Sequence, residues 1–111
     1  MNKDIEELID ILEYIDKIEI YASESSNAKE FYKNRDYFNA TIMNIVKIAE
    51  AGSRISSEMQ NSYRYVEWAE IKELQNITSN DDAVKGGQEV WQIVHGSIAQ
   101  LKNSIKHILQ S

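Results

Sequence analysis

Proton transfer near neutral pH falls most readily to histidine, and this chain holds two, His95 and His107. They lie more than three helical turns apart on one stretch of sequence. Glu89 precedes His95 by six residues, off its face in a helix, so neither imidazole has an acid or a second imidazole at ligand spacing. The Glu-x-x-His pair of di-iron bundles is absent. With no cysteine, thiolate ligands, thiol nucleophiles and disulfides are excluded together. The phosphate-cradling GxGxxG and P-loop patterns and the GxSxG nucleophile turn are missing too. Asn39-Ala-Thr41 and Asn76-Ile-Thr78 fit the glycosylation pattern but fall where the chain reads as helix. Trp68, Trp91 and six tyrosines offer faces on which bases could stack. Both tryptophans sit on the inner stripe of their segments, where packing is the better use of them.

Charge narrows the field further. Residues 1–30 carry nine acids against Lys3, Lys17 and Lys29, which is the whole net charge of −6, and residues 31–111 are neutral. No basic stripe exists to hold a phosphate backbone, so nucleic acid would need a local neutral cleft or an oligomer interface. The simplest reading of the acids is the solvated face of an amphipathic helix; an acidic surface offered to a basic partner is the alternative.

The elements that must position these groups are helices. The 111 residues contain no proline and four glycines, too few turn formers for a sandwich or barrel. The longest purely apolar run is three residues, so the chain reads as cytoplasmic, without a membrane span or signal peptide. Ile5, Leu8, Leu12 and Ile15, with Ile11, Tyr14, Ile18 and Tyr21 beside them, predict a first helix over about 2–22 with a wide apolar face. Residues 23–33 read as a connector with at most one helical turn. Asp36 is positioned to cap a second helix, with Phe38, Ile42, Ile45, Val46, Ala49, Ile55 and Met59 inward, reaching about Glu58. Residues 60–66 read as a loop, and Trp68, Ile71 and Leu74 predict a shorter third helix over about 67–79. Ser79-Asn80-Asp81-Asp82 breaks it and supplies caps. In the fourth helix Trp91, Val94, Ile98, Leu101, Ile105 and Ile108 step by three and four, the seam of an up-and-down bundle. The expected fold is an all-α four-helix bundle with one shorter helix, a single domain over 1–111.

The order of residues resembles the HEPN superfamily, and within it the HepT-like proteins. DIEELIDILEYIDKI (4–18) is similar to that family's first helix. FNATIMNIVKIAEAGSRIS (38–56) is more specific: Ala40, Asn44, Ile48, Glu50, Ala51, Arg54 and Ser56 fall on the small residue, the Asn, the Ile-x-Glu-Ala stretch and the closing Arg-x-Ser of the family. Tyr63 and Trp68 match the tyrosine and tryptophan that follow, with Glu67 where a proline is usual, and Val90-Trp91 matches a Val-Trp pair of the last helix. The resemblance implies a HEPN-like bundle and a homodimer; no cofactor and no membrane contact are expected. It also implies a partner nucleotidyltransferase antitoxin in a toxin–antitoxin module, and RNA or a nucleotide in the cleft between subunits.

The family's working motif is Arg-Asn, three to five residues, then His-x-Tyr at the end of the third helix. The resemblance implies that its arginine and histidine serve metal-independent RNA cleavage, and that its tyrosine accepts AMP from the partner. In that register LQNITSNDD (74–82) carries Gln75 for the arginine, retains Asn76, and places Asn80 for the histidine and Asp82 for the tyrosine. A carboxamide does not exchange protons as imidazole does, and losing general acid–base help costs roughly 10² to 10⁴ in rate. Gln75 offers a neutral NH₂ in place of a bidentate guanidinium. The sequence therefore predicts a ribonuclease-derived toxin component without cleavage. The alternative is a non-catalytic dimeric module that holds a nucleotidyltransferase or a nucleotide. Asp82, a permanent negative charge, could imitate the AMP-bearing state; the competing role for Asn80, Asp81 and Asp82 is to cap the fourth helix.

Overall fold

The computed structural model describes residues 2–79 and 83–110, with side chains for all of these except 78, 79 and 83–85. Helix α1 (Asn2–Ser23) is followed by α2 (Ala28–Lys33), α3 (Arg35–Ser53), α4 (Ser57–Ser62) and α5 (Trp68–Glu73). A 3-10 segment (Leu74–Ser79) extends α5, and α6 (Ala83–Ile93), a π segment (Val94–Ile98) and α7 (Ala99–Leu109) form one final rod. The architecture is all-α, and the described residues contain no strand. Among them no helix is long and apolar enough to cross a membrane.

Helices α1 and α3 form an antiparallel pair. Asp4 and Glu7 meet Ser56 and Arg54 at one end, Lys47 lies over the Tyr14 ring midway, and Tyr21 stacks on Tyr37 at the other. The final rod packs across α1, with Lys102 Nζ 2.7 Å from Glu19 Oε1. Leu8, Ile11, Ile15 and Ile18 of α1, Ile45 and Ile48 of α3, and Ile98 and Ile105 of the rod are almost wholly buried between them. The wide apolar face of α1 is thus shared between two neighbours, as its pattern predicts.

Several boundaries differ from those predicted. The 23–33 connector contains α2, capped by Asn27, whose Oδ1 accepts from Glu30 N, and pinned by the buried Phe31. Asn34, not Asp36, caps α3, its Oδ1 accepting from Tyr37 N. The second predicted helix does not reach Glu58: it ends at Ser53, and Ser56 starts α4, its side chain accepting from Met59 N. Residues 57–62 of the expected helix end and loop are therefore a short helix of their own. Ile55 and Met59 keep the apolar spacing across the break, which hides it in the sequence. What makes the break is tertiary: Asp4 accepts from both the backbone N (2.8 Å) and Oγ (2.6 Å) of Ser56, and Glu7 takes Arg54 bidentately at 2.9 and 3.1 Å. Asp4 and Glu7 are 4% and 9% exposed, so these two acids depart from the solvated face expected of them. Burial on its own raises the Asp4 pKa, but the hydrogen bonds from Ser56 and the nearby amino terminus outweigh it and hold the carboxyl below its usual range. Glu7 raises the Arg54 pKa, chiefly through their hydrogen bond.

The final rod also departs from a plain α seam. Val90, Val94, Ile98, Leu101, Ile105 and Ile108 are buried, whereas Trp91 is half-buried against Phe31 of α2. Steps of four from Val90 to Ile98 would drift off one face of an α-helix; the wider π turn at Val94–Ile98 absorbs that drift.

Candidate functional site

Trp68 opens α5 by burying its ring, and its indole N–H donates to Tyr63 O at 3.0 Å. Ile71 then seats against α3 at Gly52, where an added Cβ would lie 2.5 Å from Ile71 Cγ2. Only a glycine allows α5 this close to α3. Beyond Glu73 the chain tightens to three residues per turn, so Leu74 and Ile77 fall on one line and are both buried. Gln75 and Asn76, between them, are turned outward and exposed.

Asn76 lines an open cavity of about 230 Å³ between the 3-10 segment and the final rod. Its floor is Leu74, Ile77 and Ile93, and three carboxylates stand around it, Glu70 and Glu73 from α5 and Glu89 from α6. A second cavity of about 60 Å³ runs on toward Tyr65 and Ser104, and the two share Glu70, Leu74 and Ser97. Ser97 Oγ donates to Glu70 Oε1 at 2.8 Å, a polar link across the cleft. Gln75 stays on the outer surface and lines neither cavity. Asn80 and Asp82, the other two motif positions, lie outside the described residues, as does the expected capping by 80–82.

Neither histidine lines these cavities. His95 is exposed at the π turn, its ring 4.2 Å from that of Trp91 and its Nδ1 2.8 Å from Trp91 O. A carbonyl only accepts, so Nδ1 is the donor in this contact. His107 meets the Tyr65 ring edge-on at 5.8 Å. Arg54 is engaged by Glu7, and the Arg35 guanidinium lies over Tyr32, 4.5 Å from its ring centre. Asn44 of α3 is buried, with Nδ2 donating to Ala40 O at 2.8 Å and Oδ1 without a hydrogen-bond partner.

The family model for HepT-like ribonucleases matches residues 11–108. The chain belongs to the HepT-like ribonuclease family. No solved structure matches it. The fold explains two of the HepT-like residues named from the sequence. Arg54 and Ser56 close α3 and start α4 by taking the carboxylates of Glu7 and Asp4. Those two acids precede the matched span. Of the two described motif positions Asn76 reaches a cavity in this HepT-like chain, and Glu70, Glu73 and Glu89 are the wall residues that motif reasoning missed. Glu89 belongs to a different helix, sixteen residues after Glu73, and no spacing rule links the two.

Proposed function

We propose that this HepT-like chain is the toxin-derived component of a toxin–antitoxin module, paired with a nucleotidyltransferase and without ribonuclease activity of its own. The observation that carries the reading is the chemistry around Asn76: a carboxamide facing Glu70, Glu73 and Glu89, with no imidazole or guanidinium among the described lining residues. A scissile phosphate approaching it meets like charge, and no described lining residue is an imidazole that would exchange a proton near neutral pH. Gln75, Asn80 and Asp82 stand where the resemblance expects arginine, histidine and tyrosine.

The same reading makes the chain a homodimer. Ile9 and Ile20 of α1 and Met43 of α3 are 44%, 61% and 61% exposed, apolar side chains that a second copy would cover. Light scattering at tens of micromolar gives about twice the 12.8 kDa chain mass if this holds, and the single-chain mass if it does not.

The partner is tested by mass spectrometry after incubation with a nucleotidyltransferase encoded beside this chain, and ATP. The expected result is a stable complex with no AMP on the wild type and AMP transfer only to Asp82→Tyr. AMP mapped to residues 80–82 of the wild type contradicts the reading of Asp82, and absence of any complex contradicts the pairing.

A further inference from the structure

We propose that the outer face of α1 is a docking surface for a basic amphipathic helix of a protein partner. The proposal deepens the partner reading above and rests on it only for the identity of that partner. Helix α1 carries two stripes of apolar spacing. Leu8, Ile11, Ile15 and Ile18 form the buried one. Ile5, Ile9, Leu12, Asp16 and Ile20 form the second, and in an α-helix these positions fall within about 80° of arc. Glu7, Tyr14 and Tyr21 turn toward α3 on one side of the buried stripe, and Glu19 meets Lys102 of α7 on the other. The second stripe lies beyond Glu19, on the side of α1 away from α3. Ile5 and Leu12 are half-buried, whereas Ile9 and Ile20 are exposed, so apolar side chains meet solvent along about 22 Å of the helix.

Charge decides what covers it. Residues 1–30 hold the whole net charge of the chain. Asp4, Glu7 and Glu19 are engaged by Ser56, Arg54 and Lys102. Toward α7 the second stripe is balanced, because Lys102 lies in the field of Asp16 as well as Glu19. Its opposite flank is not: Glu6, Asp10 and Glu13 stand there against Lys17. A solvated face explains these acids but not the isoleucines set in helical register among them. An apolar seam with acids along one flank complements a helix that carries leucine-like anchors on one face and lysine or arginine beside them. RNA is disfavoured by the same acids. A second copy that covers Ile9 and Ile20 sets this acidic flank against its own, so the basic helix is the better occupant and displaces it.

The test uses the full chain and three probes: a fluorescein-labelled 14-residue helical peptide of leucine and lysine, its leucine–glutamate counterpart, and the neighbouring nucleotidyltransferase. The lysine peptide is expected to bind and to shift backbone resonances of α1 between residues 5 and 20, leaving α5 and α6 unmoved. Its affinity should fall about tenfold in Ile9→Ser/Ile20→Ser, a change at two exposed positions that spares the core. It should fall less in Glu6→Gln/Glu13→Gln, where the remaining binding depends less on salt. Met43→Ser, on α3, should bind as the wild type does. In light scattering the lysine peptide should bring any dimer down to the mass of one chain with its peptide. Equal binding of both peptides, undiminished binding to Ile9→Ser/Ile20→Ser, or shifts confined to other helices would overturn the proposal. So would a dimer that Ile9→Ser/Ile20→Ser breaks and the peptide does not, which makes the second copy the occupant. A nucleotidyltransferase that binds wild type and Ile9→Ser/Ile20→Ser equally overturns α1 as the docking surface but keeps the partner. One that binds neither, while the lysine peptide binds as expected, overturns the partner reading and keeps the docking surface.

Discussion

Asp4 is an acid with two hydrogen-bond donors and almost no solvent, and its contribution has a definite pH signature. A carboxyl held below its unfolded value of about 3.9 stabilises the fold fully above that value and loses the effect as pH falls through the folded value. Asp4→Ala removes the charged acceptor of both Ser56 N and Ser56 Oγ and should cost about 1–3 kcal/mol in urea denaturation at pH 7. The stability gap between wild type and Asp4→Asn should narrow below about pH 4, and a gap independent of pH would remove the assigned role. Nothing in the sequence marks Asp4 and Glu7 as different from their acidic neighbours. Their partners lie 52 and 47 residues away, and periodicity carries no information over that separation. Gln75 and Asn76 were legible because a resemblance fixes their register, whereas Glu70, Glu73 and Glu89 became a site only when folding faced α5 with α6.

At the scale of elements, apolar spacing gives the long helices correctly, since α1, α3 and the final rod each bury one stripe against several neighbours. It fails where the stripe outlasts the helix, as at Ile55 and Met59, and where helix type changes without a change of face, as in the 3-10 and π segments. Two glycines test the account in opposite directions. Gly52→Ala drives a methyl into Ile71 Cγ2 and should cost about 1–3 kcal/mol despite the better helix propensity of alanine. Adding Ile71→Leu, which removes the branch at Cβ, should recover part of that loss. Gly96→Ala meets nothing within 4 Å and should raise stability by about 0.5–1 kcal/mol, the gain of replacing glycine inside a helical rod. Thermal unfolding of both variants decides the matter; a stabilised Gly52→Ala would show that α5 does not need its close seat on α3.

For the whole molecule, the family was legible from spaced residues of α3 and the final rod, and the matched span of 11–108 agrees. The function depends on whether the cleft around Asn76 still cleaves RNA. Members of a catalytic unit do not add, so restoring activity should need Gln75→Arg, Asn80→His and Asp82→Tyr together rather than any one alone. The most direct measurement is incubation of the purified wild-type protein with structured and single-stranded RNA in a chelator, followed by gel analysis. Intact RNA is expected with the wild type, and cleavage only with the triple variant. Cleavage by the wild type that persists through repeated purification, and is lost on Asn76→Ala, would contradict it.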